Sequence, residues 1–325
     1  MTHLLEVKDI EVKFALRSGE LTAIDGVSFF LKKGERLGLV GESGAGKSVT
    51  GFAIINLISK PGYISGGRII FNGSVLNTLP DSEMRDIRGN RISMIFQDPM
   101  MTLNPVLTIG TQMVETLQAH RTISRAEAEA LALDKLKKVA IPSPEKRLKQ
   151  YPHEFSGGMR QRIVVSIALL TDPDLIIADE PTTALDVTIQ SEIMDLLLNL
   201  CETENMGLLL ITHDLGVVSE VTEKIAVMYA GKIVESGPTA RIIKNPQHPY
   251  TRGLIKALPG SISPGEPLHQ IPGMMPTLMD MPPGCAFHPR CSLSVPKCET
   301  DIPDLLKAGV DDHLAACFVT AGRNG

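Results

Sequence analysis

Gly41-Glu42-Ser43-Gly44-Ala45-Gly46-Lys47-Ser48 satisfies G-x-x-x-x-G-K-[ST] at every fixed position. The spacing has a chemical reason. Three glycines let the backbone curl until successive N–H groups converge on one anion. Lys47 brings a compact positive charge to the outer phosphates, and the Ser48 hydroxyl can join a magnesium ion. Arg36-Leu37-Gly38-Leu39-Val40 before it reads as a short buried strand, and Val49 to Ile58 after it as an apolar helix whose N-terminus faces the phosphates. A glycine turn with a chance lysine would lack those flanks. The stretch predicts an α/β nucleotide-binding core, with contacts from Gly41 through Ser48 to Val49.

Bulk properties narrow the class. The 325 residues suit one large domain or two. A net charge of -5 gives no sign of a nucleic-acid surface. Apolar runs such as Ile163 to Leu170 are far short of the ~20 residues a membrane span needs. The start, Met1 to Val7, lacks the charged-then-apolar layout of a secretion signal. The expectation is a cytosolic polypeptide, whose five cysteines serve as metal ligands or core residues rather than disulfides.

Around the core, Leu5, Val7, Ile10, Val12 and Phe14 alternate with a break at Lys8-Asp9, which predicts a bulged strand. Ala23 to Leu31 and Arg68 to Phe71 read as further strands, the latter ending in an Asn72-Gly73 turn. Together they predict a small antiparallel layer. Phe14 is either an adenine-stacking platform or core. Ile92 to Phe96 is a strand delivering Gln97, which can reach a phosphate-bound metal or position water. From Pro105 to about Gln150 the pattern turns helical, with a capping box at Ser124 and Glu127. Leu175 to Asp179 is a buried strand ending in Asp179 and Glu180. The first is placed to hold magnesium, the second to deprotonate water. Leu208 to Thr212 ends at His213, which can bond a γ-phosphate. A hairpin from Ile225 to Val234, turning near Gly231, closes the core, and Cys201 reads as buried.

Phe155-Ser156-Gly157-Gly158-Met159-Arg160-Gln161-Arg162 decides the class. It resembles the signature motif of ATP-binding cassette (ABC) ATPases, with Ser156, Gly157 and Gly158 forming a second anion site at a helix N-terminus. The loop at Gln97, Asp179-Glu180, the D-loop Ala184-Leu185-Asp186 and His213 complete the set over about residues 4 to 257. Phe155 and Met159 stand where Leu and Gln are commonest, and the D-loop begins Thr183 rather than Ser. The finer resemblance is to ATPase subunits of bacterial di- and oligopeptide importers, a group that includes nickel importers, and is nearest the dipeptide-importer ATPase. Gln97 to Pro105, Asp179 to Thr188, Pro246 to Thr251 and Gly284-Cys285 with Pro289-Arg290-Cys291 carry it.

The resemblance implies a P-loop ABC nucleotide-binding domain over 1–258: a mixed sheet core, an antiparallel β subdomain and a helical subdomain at about 98–170. A small cysteine-rich extension over 259–325 would follow, opened by a proline-rich linker from Ser261 to Pro283. It implies ATP and Mg2+ as cofactors, with Ser48, Gln97 and Asp179 at the metal, Glu180 as catalytic base and His213 steadying transition-state charge. Ser156-Gly157-Gly158 would act on a partner's ATP. The implied partners are a second, homologous ATPase (heterodimer, or homodimer), two membrane permeases and an external peptide-binding protein, with no nucleic acid. The implied place is the cytoplasmic face of the inner membrane. Cys285, Cys291, Cys298 and Cys317 follow C-x5-C-x6-C-x18-C, enough thiolates for tetrahedral zinc or a cubane. The resemblance points to a 4Fe-4S cluster. His288 reads as a structural residue, with substitute ligation the alternative. Competing readings are another cargo, such as nickel, and a soluble ABC protein outside transport. The latter commonly carries two cassettes or a long insertion, which this chain lacks.

Overall fold

The computed structural model describes residues 3–17, 19–183, 185–258, 270–308 and 312–320. Ala184 of the D-loop and residues 261–269 of the expected linker lie outside them. The chain divides into two units. One comprises 1–31, 35–78 and 210–325, the other 32–34 and 79–209.

In the first unit, Leu5–Leu16 is flanked by two antiparallel neighbours, Gly19–Leu31 and Gly62–Phe71, with Ser74–Val75 at the edge. The expected alternation is real: Leu5, Val7, Ile10 and Val12 are all 2% exposed or less. The expected bulge is also present. The register shifts between Val7 and Ile10, and Asp9 adopts a φ of 48°. Ser28 Oγ holds the bulge by accepting the Asp9 N–H and donating to its carboxylate. Asn72 and Gly73 both take positive φ, as a two-residue hairpin turn requires.

The same unit carries a second sheet. Arg36–Val40 runs parallel to Lys224–Tyr229, which turns at Ala230-Gly231 into antiparallel Lys232–Pro238. The helix after the glycine loop is Lys47–Ile54, shorter than expected, because Ile55 caps it and Asn56 turns left-handed at φ 52°. The hairpin does not end the sheet either. Leu314–Ala315 pairs with Glu235 and Ser236, and Leu306–Lys307 pairs with that strand in turn. Two-residue strands carry no period, so no hydrophobic pattern announced them.

In the second unit, Ile92–Ile95 and Leu175–Asp179 pair in parallel, and both are largely buried apolar runs. Helices Ile109–His120, Arg125–Lys138, Pro144–Arg147, Gly157–Ala168 and Val187–Glu204 accompany them. The capping box forms reciprocally: Ser124 Oγ accepts the Glu127 N–H, and Glu127 accepts the Ser124 N–H. Ala128, Ala132 and Leu136, fully buried, line one face at helical spacing. Cys201 is 2% exposed and belongs to the core. The strand Gly207–Thr212, buried throughout, begins in this unit and ends in the first. Among the described residues no helix is long and apolar enough to cross a membrane.

Candidate nucleotide site

The phosphate loop leaves the end of Arg36–Val40, and its glycines are sterically dictated. A Cβ on Gly41 would stand 2.3 Å from the Met228 carbonyl oxygen. Gly46 caps the following helix at φ 102°, supplying no side chain to the first turn, which also holds no acidic residue. Such an end favours an anion. Lys47, 5% exposed, donates from Nζ to the carbonyls of Gly41 at 2.9 Å and Glu42 at 3.0 Å, so its ammonium lies across the loop. Ala45 is tied down where its carbonyl accepts the Gly231 N–H at 3.0 Å. Ser43 and Gly44 are exposed at the tip, and Ser48 and Val49 are half-buried in the helix. Phe14 is half-buried against Gly62, where a Cβ would lie 2.7 Å from its ring. His213 is exposed just beyond Thr212, ahead of a helix that the Asp214 carboxylate caps through Gly216 N–H at 2.8 Å.

In the second unit, Asp179 ends its strand at 3% exposure. Glu180 follows in a left-handed conformation, φ 45°, uncommon for a residue with a side chain and a mark of functional turns. Its Oε2 accepts from Gln97 Nε2 at 3.2 Å and from Thr183 Oγ1 at 2.9 Å. Two residues singled out in the sequence therefore meet. Thr183, noted there only as a departure from Ser, proves to orient the carboxylate. Ser156 is the N-cap of Gly157–Ala168, its hydroxyl accepting the Met159 N–H at 3.4 Å. Gly158 has no room for a Cβ, which would lie 2.8 Å from Ile189. Asp186 is exposed at the start of Val187–Glu204.

The tail reaches the phosphate loop, which the sequence did not foretell. Glu42 donates its N–H to the Tyr250 hydroxyl at 2.8 Å, and its carboxylate pairs with Arg290. Tyr250 is in turn set by His248, whose Nδ1 accepts the Tyr250 N–H at 3.1 Å. Complete burial holds the His248 imidazole down to about 4, with the Glu235 charge opposing. Glu235, 0% exposed, accepts the N–H groups of Gln247 at 2.6 Å and His248 at 2.9 Å and lies 2.7 Å from His313 Nε2. Of this set the sequence singled out Glu42 in the phosphate loop, and Gln247, His248, Tyr250 and Arg290 within the Pro246 to Thr251 and Pro289 to Cys291 resemblance, which names residues without contacts; nothing pointed to Glu235 or His313.

Cys285, Cys291, Cys298 and Cys317 line one cavity of about 10 Å³ together with His248, Phe287 and His288. Burial pushes the Cys285 and Cys291 thiols up, and the neighbouring cysteines push the same way. His288 Nδ1 lies 3.0 Å from the Cys285 carbonyl, a structural contact. The expected ligand shell is not formed: among the described residues no three His, Cys, Asp or Glu are arranged to hold a metal ion. Coordination needs thiolates, and the upward push on Cys285 and Cys291 favours their neutral form. The donor set suits a thiophilic metal, yet a cavity with space for about one water does not take a cubane as it stands.

Residues 24–183 match the family described as "ABC transporter", and residues 234–298 match "Oligopeptide/dipeptide transporter, C-terminal region". The oligopeptide transport ATP-binding protein OppD of Salmonella typhimurium is 47% identical over 315 residues, 97% of this chain and 93% of that protein. The chain belongs to the ABC transporter ATPases. Beside this ATPase stand the dipeptide transport ATP-binding protein DppD of Bacillus subtilis, 48% identical over 99% of this chain and 96% of that protein, and a putative peptide import ATP-binding protein of Brucella melitensis, 48% identical over 95% of each. Among solved structures, the ATP-binding cassette MJ0796, dimeric and bound to ADP and Pi, matches with a TM-score of 0.65 at 27% identity, over 72% of this chain and 98% of that one. The ATPase thus implies ATP and Mg2+, which suit the glycine loop, Lys47 and the carboxylates.

Proposed function

We propose that this ATPase hydrolyses ATP to drive import of di- or oligopeptides through separate membrane permeases, working as a dimer with a second ATPase. The observation that carries the cargo is the match of the C-terminal region, 234–298, together with near-full-length similarity to peptide-import relatives. An external peptide-binding protein and a place on the cytoplasmic face of the membrane belong to the same reading.

In this reading the N–H groups from Gly41 to Ser48 bind the phosphates, with Lys47 swinging from its carbonyls to the outer oxygens and Val49 completing the helix end. Ser48, Gln97 and Asp179 would hold Mg2+, which would neutralise phosphate charge when bound. Glu180, held by Gln97 and Thr183, takes the proton from water, and His213 donates to the developing charge. Phe14 is an adenine platform, Ser156-Gly157-Gly158 covers the partner's γ-phosphate, and Asp186 belongs to the D-loop facing that partner. The domain layout follows: a cassette over 1–258, with its helical subdomain near 98–170, and a cysteine-bearing extension over 259–325. A 4Fe-4S cluster or zinc ion on Cys285, Cys291, Cys298 and Cys317 rests on their donor chemistry alone, and would need the small cavity they line to open.

Glu180→Gln tests the core of this. It should bind ATP at wild-type affinity and lose turnover by several orders of magnitude; retained turnover removes Glu180 as base. Iron, sulfide and zinc analysis of anaerobically purified protein tests the tail, and uptake of labelled dipeptides by cells lacking the chain tests the cargo.

A further inference from the structure

We propose that Arg290 is a positioning residue of the ATP site, through which the C-terminal tail sets the geometry of the phosphate loop. The proposal rests on the ATPase reading above. Arg290 meets Glu42, second residue of the loop, as a two-pronged fork: Nη1 to Oε2 at 2.7 Å and Nη2 to Oε1 at 3.0 Å. Its side chain is only 6% exposed. Nε donates to the Pro272 carbonyl at 2.9 Å, Nη1 lies 3.4 Å from the Tyr229 hydroxyl, and the guanidinium carbon stands within 5.9 Å of the Tyr229 and Phe287 ring centroids. The pair holds the guanidinium charged throughout the accessible range.

Glu42 is fixed at three groups. Arg290 takes its carboxylate, the Tyr250 hydroxyl accepts its N–H, and its carbonyl accepts from Lys47 Nζ. The last contact couples the clamp to the phosphate-binding ammonium. A carboxylate beside a polyphosphate would also repel it, and the fork neutralises that charge. Arginine is the residue the place requires, since lysine cannot bond both oxygens in one plane. The clamp is itself framed by the cysteine segment. The His288 N–H donates to the Cys285 carbonyl at 2.9 Å, the Arg290 N–H to Phe287 at 3.0 Å and the Cys291 N–H to His288 at 3.2 Å. The shape of the 285–291 turn is therefore the position of the fork.

The test is titration of full-length protein with fluorescent mant-ATP, alongside thermal melting. Arg290→Met should weaken nucleotide binding about tenfold, of the order expected for a charge-assisted pair. Arg290→Lys, less disruptive to folding, should weaken it about threefold. In Glu42→Gln/Arg290→Met the loss should be no greater than in Arg290→Met alone, because the arginine acts through Glu42. Wild-type affinity in Arg290→Lys and in whatever Arg290→Met folds, with only the melting temperature lowered, would overturn the proposal, as would additive losses in the double variant. A wild-type chain that binds no mant-ATP would instead overturn the ATPase reading on which the proposal rests.

Discussion

Acid should weaken this protein through one buried imidazole. His248 is 1% exposed and held neutral, its folded value about 4 against 6.5 for an ordinary histidine. Between those values the unfolded chain takes up a proton that the folded chain refuses, so stability rises with pH across the window and is lost as pH falls through it. The full difference is worth about 3 kcal/mol, and about 2 kcal/mol of it is gone at pH 5 relative to neutral. Below the folded value both states are protonated and the loss stops growing. His248→Asn keeps an acceptor for the Tyr250 N–H while removing the titration. The chain has no tryptophan, and two of its four tyrosines, Tyr229 and Tyr250, pack edge-on at 4.7 Å between centroids beside His248. Tyrosine fluorescence in urea thus reports this region. Wild type should lose about 2 kcal/mol more than His248→Asn between pH 7.5 and 5, carboxylate effects common to both cancelling. Equal acid losses in the two proteins would refute the reasoning.

Other perturbations separate the parts of the site. Gly41→Ala sets a methyl 2.3 Å from a backbone carbonyl that cannot step aside, so ATP binding should fall below detection in a titration while the far-UV spectrum stays folded. Thr183→Val removes one of the two donors seen on Glu180 and should lower kcat about tenfold with KM for ATP unchanged, read from steady-state ATPase assays. Glu235→Gln turns an amide toward one of the buried N–H groups that Glu235 accepts and should cost about 2–3 kcal/mol in urea unfolding.

How much of this was legible varies with the range of the interaction. The glycine loop, the bulge at Lys8-Asp9, the capping box at Ser124 and the strand ending at Asp179 are local: their residues lie within a few positions of one another, and sterics or period-2 burial dictates them. The meeting of Gln97 with Glu180 was half legible, since each sits at the end of a recognisable strand but only pairing of those strands joins them. Arg290 on Glu42 joins residues 248 apart, and no propensity or period encodes such a pair. The early end of the helix at Ile54 depends on Asn56 adopting a left-handed turn, which Asn permits but does not compel. The cysteines were legible as donors and not as a shell, because spacing records ligand number and not how the side chains are placed in space.

The short tail strand on Lys232–Pro238 also has a consequence for the chain's behaviour in solution. Glu235 and Ser236 are the ladder partners of Ala315 and Leu314, and without that cover Lys232–Pro238 would present unpaired N–H and C=O groups along a sheet margin. Such a margin recruits strands from other molecules. The cover is itself ended by the two-residue strand Leu306–Lys307, too short to template further growth. Proteolytic loss of the last residues should therefore show first as concentration-dependent aggregation, with the phosphate loop still intact in the fragments that stay dispersed.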